Sequence, residues 1–505
     1  MHKIKLCPIL ALALLAACNS TTGSPAVTRP SGPTEPAATV SLPSATAPAS
    51  PQPSQTQIPT AASSSTFGSP GGGDAYYPLL GNGGYDAVRY TLDLAVDMDA
   101  RTISGTVSMD ANATQDLSRF NLDFSGPAVS RVTIDGKDAG FTRQGSEMTI
   151  TTPTLLARGQ HFTSAVTYAG NPGAAPSQTP IYSRGWVNYD QGVLVSAEPS
   201  GQSFWYPLNE TPADKAAYTF RITIAKPWVV VAIGLQKGVT DNGTTRTYLY
   251  ETDNPVAPYL VTLGIDEFTT ETDTSSNVLV RNYFGAGYPD SARSSFDRTP
   301  QMITYFESLF GPFPFEAYGV VAHNTHLPFA LESQTLTVFG NSFTDEEVVS
   351  HELAHSWFGD SVTIAHWKDI WLNEGFASFG AAMWQEHTAG KDASSKAIQA
   401  LYQTLVRDES QGILLGDPGP DNDFNKLVYD RGEMTLTALR ARLGDPTFFK
   451  ILQTYASRYF HTNASTADFI AVAEEVSGQK LADFFQAWLF QVKTPDIPEL
   501  GLFHP

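Results

Sequence analysis

"SHELAHSWFG" occupies residues 350–359 and sets two histidines, His351 and His355, four positions apart with Glu352 directly after the first. At 3.6 residues per turn both imidazoles leave one face of a helix about one turn apart, where they can reach a single ion. Glu352 lies close to that face, so the pattern reads as two zinc ligands and a carboxylate able to take a proton from metal-activated water. Val348, Val349, Leu353, Ala354, Trp357 and Phe358 surround the pair. A helix that is apolar most of the way round is buried, and buried histidines need partners. Catalytic zinc usually takes three protein ligands and leaves one position open. Glu374, nineteen residues after His355 within "WLNEGFASF", offers the third on the next apolar helix. One zinc ion per chain is expected.

Working outward, helical periodicity dominates beyond about Thr270. "PQMITYFESLFG" stops at Gly311, and "TDEEVVSHELAHSWFG" starts with Thr344 and Glu347 in capping-box spacing and stops at Gly359. "IWLNEGFASFGAAMWQEHTAG" closes at Gly390, and further helices are expected in "GEMTLTALRARLG", "PTFFKILQTYASRYF" and "TADFIAVAEEVSGQKLADFFQAWLFQ". Between Tyr76 and about Glu267 the pattern is instead alternation broken by Gly, Asp and Asn, as in "YDAVRYTLDLAVDMDARTISGTVSMDANA", which indicates antiparallel sheets.

The chain start belongs to neither part. "MHKIKLCPILALALLAAC" has a basic lead, an apolar run too short to span a bilayer, and small residues before Cys18, which together read as an export signal. "LAAC" also looks like a bacterial lipobox, with cleavage after residue 17 and a lipid on Cys18 that anchors the protein to the cell envelope. Residues 18–75 are Pro, Ser, Thr and Ala with almost no large apolar side chain, so a disordered tether is expected. The only cysteines, Cys7 and Cys18, lie in the leader and at the anchor, leaving no disulfide or thiolate ligand for the folded part. A length of 505 residues with 42% hydrophobic residues accommodates two folded units. A net charge of −20 argues against nucleic acid as partner.

H-E-x-x-H, eighteen residues, then Glu within W-L-N-E-G-F-A resembles the zinc motif of the gluzincin aminopeptidases, the family of aminopeptidase N and leukotriene-hydrolase relatives. "WYPLNETPADKAAY" and "GPFPFEAY" also look like that family. The resemblance covers about Tyr76 to Pro498. It implies an α+β multidomain fold, with an N-terminal, saddle-like antiparallel β-sheet domain (76–268) followed by a mainly helical thermolysin-like zinc catalytic domain (269–505). It further implies that Glu332 in "FALES" binds the substrate's α-ammonium, with Ala330 also matching, whereas Phe329, Leu331 and Ser333 depart from the family pattern. "VSAEPSG" places Glu198 as a second amine-binding carboxylate. "VYDRGEM" places Tyr429 as the oxyanion stabiliser, with Arg431 where lysine is usual.

The resemblance therefore implies hydrolysis of the N-terminal peptide bond of peptides with a free N-terminus. His351, His355 and Glu374 would hold zinc, with Glu352 and Tyr429 as catalytic groups. A thermolysin-type endopeptidase, a non-catalytic peptide-binding lipoprotein, and an additional epoxide hydrolase activity stay open at this point. Many family members continue into a long helical domain, so a two-domain body with a more open site is expected here. His323, His326, His366 and His387 lack metal spacing and read as packing or surface residues.

Overall fold

The computed structural model describes residues 66–173 and 185–505, all within one compact unit, Ser65–Pro505. The export segment, Cys18 and the tether up to residue 65 lie outside the described residues. The body begins earlier than composition indicates. Gly68 N–H donates to Arg119 O at 3.0 Å and Gly72 N–H to Leu80 O at 2.8 Å. Asp74 accepts from the backbone N–H of Trp367 at 2.8 Å. These bonds run largely through backbone, so a Gly- and Ser-rich stretch makes them without an apolar pattern.

Strand Tyr85–Asp97 alternates buried and exposed positions, sending Tyr90, Leu92 and Leu94 inward. It sits in an eight-stranded sheet, paired antiparallel with Thr102–Ala113 and parallel with Ala216–Ala225. That parallel pair departs from the expected all-antiparallel arrangement. It is possible because a long excursion through other strands separates the two partners, as parallel neighbours require. A second sheet, ordered Val229–Ala232, Leu263–Asp266, Gly192–Val195, Trp186–Tyr189, is almost wholly buried. The loop leaving Gly192–Val195 carries Glu198.

The helical part opens with a four-stranded sheet that the helical pattern past Thr270 concealed: Thr269–Asp273, Leu279–Phe284, Ala317–Ala322 and Thr337–Phe339. Leu331 and Val338 exchange backbone bonds of 3.0 and 2.8 Å, folding the Glu332 turn onto the edge of that sheet. The helices are α1 (Asp290–Arg293), α2 (Thr299–Phe310), α3 (Glu346–Ala354), α4 (Trp371–Ala389), α5 (Lys391–Asp408), α6 (Lys426–Leu443), α7 (Asp445–Arg458), α8 (Thr466–Ser477) and α9 (Ala482–Leu489). Gly311 and Gly390 end α2 and α4 as expected. Helix α3 differs at both ends. Asp345, not Thr344, is its N-cap, accepting from Val348 N–H at 3.0 Å, and the helix stops at Ala354 rather than running to Gly359. The aspartate side chain is the better placed acceptor for an orphan N–H of the first turn. Among the described residues no helix is long and apolar enough to cross a membrane.

Candidate active site

Helices α3, α4 and α6 converge on one point. His351 lies in the last turn of α3, with His355 at its C-cap still in helical conformation, so the four-residue spacing holds both rings on one face. Their Nε2 atoms lie 3.1 Å apart. Glu374, in the first turn of α4, brings Oε2 to 3.3 Å from His351 Nε2 and 3.5 Å from His355 Nε2. Ligand atoms of the three residues all fall within 4.8 Å of one another. His355 Nδ1 is 3.1 Å from the Phe358 carbonyl. A carbonyl can only accept, so Nδ1 carries the proton and Nε2 presents its lone pair to the centre.

Helix α6 reaches this point because two glycines let it. A Cβ on Gly432 would lie 2.5 Å from the Cα of Gly375, and one on Gly375 would lie 2.7 Å from the Cα of Gly432. The helix backbones touch there, immediately after Glu374 and one turn after Tyr429. The Tyr429 ring then packs on His351 with centroids 6.0 Å apart. Arg431 does not enter the site. Its guanidinium donates to the carbonyls of Ala487, Trp488, Gln491, Val492 and Lys493, closing the end of α9. A planar five-donor fork suits that task better than an ammonium.

Glu332 and Glu198 come from different elements, one from the turn beside Thr337–Phe339 and one from the loop leaving the buried β sheet. Ligand atoms of Glu198, Glu332 and Glu374 lie within 4.8 Å of one another, as do those of Glu332, Glu352 and His355. All four glutamates are buried, and one oxygen each of Glu198, Glu332 and Glu352 has no hydrogen-bond partner. Ala330 is partly buried on the segment leading to Glu332.

Such a cluster calls for cations. Burial pushes Glu198 and Glu352 well above the usual carboxylate range, and their neighbouring carboxylates push them further. Burial works against charge on His355, yet Glu332 and Glu374 outweigh it and raise the ring to about 10, so with no cation beside it Nε2 holds a proton that a bound metal would displace. Two imidazole nitrogens and a carboxylate oxygen form a donor set suited to zinc, and orphaned oxygens beside it mark room for a further positive group. The residues present therefore fit a zinc ion.

Several residues at the site carried no sequence motif. Asp423 lies in the field of Glu198, is held by the Tyr77 hydroxyl, and is raised by burial to about 6. Tyr259 and Lys215 donate to backbone carbonyls of the turn after His355, and Asn373 donates its side-chain N–H to the Tyr259 hydroxyl oxygen. Lys215 falls in "ETPADKAAY", a segment whose family likeness is visible but whose role is not. His323 bonds Tyr189, His326 lies against Ser342, His366 sits 3.9 Å from Asp74, and His387 stacks on Tyr305; none reaches the centre.

The family model described as the Peptidase M1 N-terminal domain matches residues 86–260, and that of the Peptidase family M1 domain matches residues 294–488. Aminopeptidase M1-B of Oryza sativa subsp. japonica is 28% identical over 319 residues, covering 58% of this chain and 36% of that protein. Human glutamyl aminopeptidase is 27% identical over 334 residues, covering 60% of this chain and 34% of that protein. The chain thus spans little more than a third of the length of such curated relatives. Among solved structures, a mutant of the M1 zinc metallopeptidase from Deinococcus radiodurans, bound to a Tyr-Ser-Ala substrate, aligns with a TM-score of 0.78 and 29% identity. It covers 84% of this chain and 99% of its own. With its β-rich part and its helical part each matched by that family's own model, the chain belongs to peptidase family M1.

Proposed function

We propose that this protein is a zinc-dependent aminopeptidase that removes the first residue of peptides with a free N-terminus. The observation that carries the reading is the placement of Glu198 and Glu332 within 4.8 Å of the ligand atom of Glu374. Two buried carboxylates with unpartnered oxygens satisfy an α-ammonium by charge-assisted hydrogen bonds. Their position beside the metal ligands suits an amine and a reacting carbonyl that belong to the same residue. An endopeptidase has no use for such a pair.

His351, His355 and Glu374 would hold zinc, which when bound supplies Lewis acidity that acidifies water and polarises a carbonyl. Glu352 accepts the proton of the attacking water at its unpartnered Oε2 and passes it to the departing amine. Tyr429, one turn from the α4–α6 contact, donates its hydroxyl to the oxygen on which negative charge develops. Glu198 and Glu332 fix the amino terminus, so selection of the chain end is geometric. A panel of aminoacyl fluorogenic substrates, assayed with chelator and after zinc is restored, tests the assignment. Turnover that survives complete chelation would refute it.

The leader sequence supports export and attachment through lipid on Cys18. Cys18→Ala should move the protein from the membrane fraction to the soluble fraction; unchanged membrane association would exclude the anchor.

A further inference from the structure

The turn that follows α3 exposes four consecutive carbonyls, and each is taken by a side chain. Phe358 O accepts from His355 Nδ1–H at 3.1 Å. Gly359 O accepts from the Tyr259 hydroxyl at 3.3 Å. Asp360 O and Ser361 O accept from Lys215 Nζ at 2.8 and 3.0 Å. The turn is otherwise closed on itself, with Asp360 N–H donating to His355 O at 3.0 Å and Gly359 N–H to Val362 O at 2.8 Å. Gly359 has φ +135°, and a Cβ there would lie 2.9 Å from His355 Nδ1, so the turn presses directly on the ligand ring.

Tyr259 does a second thing. Its oxygen accepts from Asn373 Nδ2 at 3.0 Å, and Asn373 precedes the ligand Glu374 at the start of α4. One phenol, 2% exposed and packed edge-on against Trp367 at 5.2 Å, therefore ties the His355 turn to the Glu374 helix. Neither Tyr259 nor Lys215 belongs to the helical part. Tyr259 follows strand Thr245–Val256 and Lys215 precedes strand Ala216–Ala225.

We propose that Tyr259 and Lys215 are positioning residues for the metal centre, supplied by the β domain to hold the two ligand-bearing segments in register. A binding constellation works only when its ligands are held to roughly 0.5 Å, and groups that orient ligands commonly control metal affinity. The β domain is on this account part of the metal site as well as a source of Glu198. The inference rests on the three-ligand reading but not on turnover.

The test uses the full chain stripped of metal. Tyr259→Phe, Lys215→Met and Lys215→Arg are titrated with zinc in competition with a chromogenic chelator, and the melting temperature of each metal-free form is recorded. Arg440→Met serves as control, since it breaks the pairs with Glu386 and Asp445 away from the centre. Tyr259→Phe and Lys215→Met should raise the zinc dissociation constant about 10–100-fold. Lys215→Arg should recover most of the loss. The control should keep parental affinity whatever its metal-free melting temperature. Affinities within twofold of the parent for both Tyr259→Phe and Lys215→Met would overturn the proposal, as would a control that weakens zinc in proportion to lost stability. A parent chain that binds no zinc would instead overturn the reading of the site itself.

Discussion

Replacing Gly432 by alanine tests how Tyr429, the proposed oxyanion stabiliser, reaches the centre. The added Cβ would sit 2.5 Å from the Cα of Gly375 on the facing helix. Carbon atoms are at rest near 3.5–4.0 Å, so α6 must retreat from α4 by about 1 Å. Overpacking of this kind costs about 1–3 kcal/mol of stability. Tyr429 lies one turn before Gly432, and its ring packs against His351 at 6.0 Å, so the retreat carries the hydroxyl out of line. A misplacement of about 1 Å can cost a factor of about 10² in rate. We expect Gly432→Ala to fold with a lowered melting temperature, to bind zinc stoichiometrically, and to lose about two decades of kcat with little change in KM. Steady-state kinetics, metal analysis and calorimetry on one preparation decide the matter. Parental kcat and melting temperature would refute the close-contact argument.

Three further outcomes are expected. Glu352→Gln should keep its zinc and lose about 10²–10⁴-fold in kcat, the usual worth of a positioned base; full activity would remove Glu352 from the mechanism. Glu332→Ala should raise KM for free-amine substrates while metal content holds, and an equal loss of zinc would make Glu332 structural. His323, wholly buried, is held down at about 3 by burial against an ordinary 6.5. Between those values the unfolded chain binds a proton that the native chain refuses, so stability falls as pH drops through the window, by about 2 kcal/mol at pH 5. Denaturant melts at pH 7 and pH 5 should show a smaller loss for His323→Phe than for the parent; equal losses would mean the ring is not the proton-excluding group.

The three candidate metal ligands were legible because helical spacing is arithmetic. Two histidines four apart on a buried helix have few places to go, and Glu374 on the next apolar run completes the set. Glu198 and Glu332 were reached only through resemblance, since short loop segments carry no periodicity. The sheet that includes Leu279–Phe284 and Ala317–Ala322 was hidden because its strands are only three to six residues long, too short for a period to show. Helix α5, "KDASSKAIQALYQTLVRD", carries an apolar stripe at Ile398, Leu401, Tyr402, Leu405 and Val406, a helical spacing that was there to be read but went unremarked. Residues 66–75 lack large apolar side chains apart from Phe67, as the preceding tether does, and what distinguishes them is hydrogen bonding to Arg119, Leu80 and Trp367, partners far along the chain or across a turn. Tyr259 and Lys215 act on carbonyls, which every residue possesses, so no motif announces them.

On this reading one metal and one amine pocket act on the same peptide bond. The most direct measurement compares hydrolysis of a short peptide with that of its N-acetylated twin, before and after complete metal stripping and again with zinc restored. Cleavage of the free peptide alone, abolished by stripping and recovered with zinc, is the predicted result. Comparable cleavage of the acetylated twin, or activity that persists without metal, would contradict it.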